Sequence, residues 1–139
     1  MIRAVFHVSV LVSGIISPRG SPAELLRAWR SGEFDLVVCP MLVSELTRAL
    51  RYRKLERYIE PTNVNPVVDA IVRAATPVPD PDDVPTISRD PRDDYLFAVA
   101  RAWADLLVSV DRDVLETEEP GVRVFTPGGF HELLEARRN

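Results

Sequence analysis

Four short apolar runs set the strongest constraint on what this chain can fold into. Residues 2–6, 34–38, 106–110 and 122–125 are near-continuous in Val, Leu, Ile and Phe rather than strictly alternating. A strand with one wet face alternates, whereas a strand covered on both faces does not. Between the runs lie helix-like patterns, and Pro22, Pro40, Pro66, Pro91 and Pro127 each stand where such a pattern opens. Proline fits the first helical position because its missing N–H has no partner there. Ser21-Pro22-Ala23-Glu24 reads as a capping box, and Gly32 marks the end of that helix. Strands alternating with helices predict an α/β fold of three layers, a parallel β-sheet flanked by helices.

The length of 139 residues suits one domain, residues 1–139, with a core of ordinary size. Residues 76–91 hold five prolines and several aspartates and read as a loop. Cys39 is the lone cysteine, which excludes an internal disulfide and fits a reducing cytoplasm. The apolar stretch 8–16 is too short to span a membrane, and no membrane partner is expected. A net charge of −4 gives no global basic field. Nucleic acid is still a possible ligand, because cations bound by clustered carboxylates neutralise a site locally.

In an open parallel sheet, sites form beyond the carboxyl ends of the strands. His7 follows the first apolar run and Asp111 follows the third. Asp90-Pro91-Arg92-Asp93 reads as an N-cap and first turn, which accounts for Asp90 and Asp93 structurally. Asp94 is then the acid left over to face the sheet edge. Leu96, Phe97, Ala100, Trp103 and Ala104 follow as the buried stripe of that helix, and Trp29 fits a stripe of its own. Glu45 lies at the edge of the apolar face of the helix over 40–51, where a boundary glutamate is ordinary. Asp111 and Asp113 could equally cap a turn before Val114. Taken together, crowded carboxylates repel unless neutralised, so a cluster of them predicts a hard-cation site for Mg²⁺ or Mn²⁺. Arg48, Arg51, Arg53, Lys54 and Arg57 form a basic run best read as a solvated helix face, and His131 reads as a surface residue.

The order and spacing of several segments resemble the PIN-domain family, in particular the PilT N-terminal-like proteins. The segments are Val10-Leu11-Val12-Ser13-Gly14, Ser17-Pro18-Arg19-Gly20-Ser21-Pro22-Ala23, the stretch from Phe34 into Cys39-Pro40, Ser44-Glu45-Leu46, Arg89 to Asp94, Ala104 to Asp113, and Thr126-Pro127. The resemblance implies a PIN-like three-layer fold and a metal-dependent ribonuclease, the toxin of a toxin–antitoxin pair. It implies Glu45, Asp94 and Asp111 as catalytic, metal-binding acids with Asp113 in support, Mg²⁺ or Mn²⁺ as cofactor, an RNA substrate, an antitoxin protein and a homodimer. The interval from Asp94 to Asp111 is about one residue shorter than the family pattern. The opening motif departs further: His7-Val8-Ser9 stands where the family has an Asp followed by Thr/Ser and Asn/Ser. His7 is thus a substituted metal position. Imidazole binds Mn²⁺ better than Mg²⁺, and its entry removes one negative charge, so metal affinity falls and any ligation favours Mn²⁺. The alternatives left open are a weakened nuclease and a catalytically degenerate PIN fold acting as a protein- or RNA-binding module. A phosphotransfer reading of Asp111-Arg112-Asp113 lacks the chain length that must follow such a motif.

Overall fold

The computed structural model describes residues 1–84, 86–88 and 90–138. Its strands are β1 (Arg3–Phe6), β2 (Asp35–Val38), β3 (Thr76–Pro77), β4 (Leu106–Val108) and β5 (Arg123–Phe125). They form one sheet in the order β3-β2-β1-β4-β5, parallel throughout. The helices are α1 (Val8–Ile16), α2 (Ser21–Arg30), α3 (Pro40–Leu50), α4 (Pro61–Ala74), α5 (Asp94–Trp103), α6 (Arg112–Leu115) and α7 (Pro127–Arg138). The parallel α/β reading therefore holds. The central strands are buried nearly throughout, which is why their sequences do not alternate.

The chain first builds outward from β1 to β2 and β3, then crosses back to lay β4 and β5 on the other side of β1. Strand order thus reverses between β1 and β4. Their carboxyl ends lie side by side there, with Phe6 in register with Val108. A crevice opens at such a reversal because the connections leave the two strand ends in opposite directions.

Several local expectations are corrected. β3 lies inside the stretch read as loop. It is two residues long, too short to show as an apolar run, and Pro77 is tolerated because the strand is at the sheet edge. Helix α4 starts at Pro61, so Pro66 falls inside it and costs one backbone hydrogen bond near its start. The Ser21 capping box does not form. Gly20, at a φ of 97° that favours glycine, is the N-cap. Glu24 instead pairs with His131 of α7 at 3.0 Å, which ties α7 to α2. Trp103 is not core. It is the last residue of α5 and is 41% exposed. Trp29, Leu96, Phe97 and Ala100 are buried as expected.

Helix α1 is apolar on most faces because it is wedged between the sheet, α2 and α3. Among the described residues no helix is long and apolar enough to cross a membrane. Gly14 lets α1 and α2 approach closely: a Cβ there would lie 2.6 Å from Leu26 Cδ1 and 3.0 Å from the Pro22 carbonyl oxygen. Gly14→Ala gains about 1 kcal/mol of helix propensity but over-packs this crossing by about 1–3 kcal/mol. The expected outcome is a net loss of about 1 kcal/mol, read as a lower urea midpoint at unchanged slope.

Candidate functional site

The crevice at the sheet reversal is a cavity of about 830 Å³. Its acidic part is assembled from three strand ends. β1 ends at His7, β4 leads to Asp111, and β2 leads into α3, which carries Glu45. The start of α5 supplies the fourth wall.

His7 is 8% exposed and continues the β1–β4 ladder, its N–H donating to the Val108 carbonyl at 2.8 Å. It is also the N-cap of α1. The Ser9 backbone N–H donates to His7 Nδ1 at 3.2 Å, and the Ser9 hydroxyl lies 2.7 Å from the same nitrogen. A backbone N–H can only donate, so Nδ1 is an acceptor and Nε2 carries the ring hydrogen. That hydrogen is donated to Asp93 Oδ1 at 3.0 Å. In this tautomer Nε2 has no lone pair to offer a metal ion.

Asp93, not Asp94, faces the crevice. The chain enters α5 through a 3₁₀ turn, Pro91–Asp93, capped by the Asp90 side chain, which accepts from the Arg92 N–H at 3.0 Å. A 3₁₀ turn advances about 120° per residue and an α-helix about 100°, so this opening shifts the phase of the residues at the junction. Asp93 is turned to His7. Asp94 is turned back to the preceding loop and is 3% exposed. Its carboxylate accepts from the Ser88 N–H at 2.7 Å and the Ile87 N–H at 3.2 Å, and the Ser88 hydroxyl lies 2.7 Å from it. A charged acceptor for buried backbone donors is a structural anchor. The other end of the loop is pinned as well: Asp80 accepts from the Met41 N–H at 2.8 Å, in the first turn of α3.

Asp111 caps α6, accepting from the Asp113 N–H at 2.8 Å, and its own N–H is held by the buried Ser109 hydroxyl at 2.9 Å. Ligand-type atoms of His7, Asp93 and Asp111 lie within 4.8 Å of one another, a group found among the described residues. Glu45 and Asp90 line the same cavity, while Asp94 and Asp113 do not. Asp113 contributes through its backbone, which fixes Asp111. Asp90 is engaged by Arg92 through two side-chain hydrogen bonds, at 3.1 and 2.9 Å, and these hold its carboxyl below the usual range.

Tyr95, next on α5, has a buried hydroxyl. Burial first, and the nearby Glu45 carboxylate second, push its pKa well up, so it stays protonated. The two groups do not meet in hydrogen-bond geometry, and the hydroxyl has no partner among the described residues. Cys39 is no nucleophile: burial pushes its thiol up to about 11.

The sequence expectation set Asp94, not Asp93, toward the crevice because the Asp-Pro opening reads as a continuous α-helix. The signal that could have found Asp93 was the interval to Asp111. That interval is one residue short of the family pattern from Asp94, and counting from Asp93 restores the missing residue.

The PIN domain family model matches residues 3–113, and the chain belongs to that family. Among solved structures it is similar to a chain in the crystal structure of VapBC2 from Rickettsia felis bound to a DNA fragment from their promoter. The TM-score is 0.62 at 9% identity, covering 90% of this chain and 98% of that one. That likeness supports the PIN-like α/β fold. No curated protein matches the chain.

The two neighbouring acids should separate by measurement. Asp94→Asn places an amide NH₂ among backbone donors and should cost about 1–3 kcal/mol in thermal or urea unfolding. Asp93→Asn keeps an acceptor for His7 and relieves repulsion with Asp111, so stability should change by less than about 1 kcal/mol.

Proposed function

We propose that this chain is a divalent-cation-dependent ribonuclease of PIN type that acts as the toxin of a toxin–antitoxin pair. The observation that carries the reading is the meeting of Asp93, Asp111 and His7, with donor atoms within 4.8 Å of one another, at the sheet reversal. Carboxylates this close repel unless a cation or proton neutralises them. Their oxygen donors suit Mg²⁺ and Mn²⁺. On this reading Asp93, Asp111 and Glu45 would hold the ion, so the role expected of Asp94 passes to Asp93. A bound ion would supply a water of lowered pKa and a positive charge facing the phosphate.

His7 acts here through Asp93. Its Nε2–H fixes the angle of that carboxylate but draws on lone pairs that a cation also needs. Together with the lost negative charge, this lowers affinity for Mg²⁺ and Mn²⁺ alike. A preference for Mn²⁺ requires the imidazole to change tautomer and ligate. The antitoxin rests on the family and on the VapBC2 likeness. A cytoplasmic location and a homodimer complete the proposal, and light scattering coupled to gel filtration tests the dimer.

The test is cleavage of single-stranded RNA with Mg²⁺ or Mn²⁺. Asp93→Asn and Asp111→Asn should each lower the rate by roughly 100-fold or more. His7→Asp should raise metal affinity, measured calorimetrically, and raise the rate with it. The second reading, a degenerate binding module, is favoured by the imidazole standing in place of an acid. Absence of metal-dependent cleavage in both the wild type and His7→Asp would overturn the nuclease and leave that module.

A further inference from the structure

The cavity has a second character that the acids do not use. Glu45, Arg48 and Tyr52 all line it. They stand at i, i+3 and i+7 along α3 and its end, the spacing that puts side chains in one stripe. The stripe runs from a carboxylate to a guanidinium to an aromatic ring. From Glu45 to Tyr52 the rise is on the order of 10 Å, which is about one to three nucleotides along a strand.

The backbone of Tyr52 is held on both sides. Its N–H donates to the Ala49 carbonyl at 3.1 Å, and its carbonyl accepts from the Leu55 N–H at 2.9 Å. The residue is nevertheless 57% exposed. Arg48, one turn back, is exposed and makes no hydrogen bond or ion pair among the described residues. The other cations nearby divide by role. Arg51 is committed to Asn65 at 2.7 Å, and Arg57 lies over the Tyr58 ring at 5.1 Å. Arg51 and Arg53 flank Tyr52 in sequence, and Lys54 follows.

We propose that Tyr52 is a stacking platform for an unpaired base of the RNA strand, with Arg48 holding the phosphate between that base and the acidic centre. The inference rests on the nuclease reading and names how that site takes its substrate. A single strand presents phosphate and π-face in alternation, and the stripe presents guanidinium and ring in the same alternation. An apolar protein segment would meet Arg48 in the same cavity and a chain rich in cations around Tyr52, so charge favours the polyanion. Duplex RNA keeps its bases stacked and gives Tyr52 nothing to receive.

The test is fluorescence anisotropy with a short, labelled, unpaired RNA of mixed sequence. Ca²⁺ is present to neutralise the carboxylates, and the RNA is recovered intact on a gel. Tyr52→Ala should weaken binding about tenfold, and Tyr52→Trp should keep it within about twofold. Arg48→Ala should lower the slope of log affinity against log salt by about one phosphate contact. The same sequence as a duplex should bind Tyr52→Ala and wild type alike. If the wild type binds RNA and a folded Tyr52→Ala binds it equally well, this assignment fails alone, and the ring serves a protein partner or nothing. If the wild type binds no RNA, the assignment and the nuclease reading fail together.

Discussion

The hydrogen bond from His7 Nε2 to Asp93 joins two distant parts of the chain at the one place where the sheet changes direction. The acidic part of the crevice meets at that contact. On the His7 side, the end of β1 and the first turn of α1 leave the ring no freedom, because the Ser9 N–H and hydroxyl both face Nδ1. On the Asp93 side, the constraint comes from its neighbour. Asp94 collects the backbone of residues 87 and 88, and Asp80 fastens the far end of the same loop to α3. Two adjacent aspartates thus divide the work: one is buried to hold the loop, and the other is aimed by it.

On the proposed nuclease reading, the imidazole at position 7 sets the charge balance of the crevice. An acid there would add charge and lone pairs to the crevice. The imidazole instead donates a hydrogen to Asp93, which on that reading leaves the carboxylates better compensated and less demanding of a cation. His7 keeps the ladder bond to Val108 through its backbone and caps α1 through its side chain, both of which a shorter polar residue could also do.

The layered fold was legible in the sequence because burial on both faces writes itself directly into composition, as in Leu106-Leu107-Val108. Proline placement located α2, α3 and α7. It misled at Pro66, where packing of Val64, Val68 and Ile71 against the core carries the helix through a proline. β3 was invisible because two residues contain no period. The site was half legible. The place of Asp111 beyond a strand end follows from strand order, whereas helix phase alone left Glu45 an ordinary boundary residue and only the family resemblance singled it out; both line the cavity. The choice between Asp93 and Asp94 depended on a 3₁₀ turn, and local propensity does not distinguish that turn from the first turn of an α-helix. Tyr52 was not legible in the sequence, because an exposed tyrosine in a basic run gains a role only from Glu45 and Arg48 sharing its cavity.

In the proposed site, His7 donates to Asp93 and does not ligate an ion. Long-range ¹H–¹⁵N correlation spectra of the imidazole nitrogens, recorded at neutral pH with and without Mg²⁺, test it directly. The expected result is the Nε2–H tautomer for His7, with the same pattern kept when Mg²⁺ is added. An Nδ1–H tautomer, or loss of the Nε2-bound hydrogen on adding the ion, would contradict it.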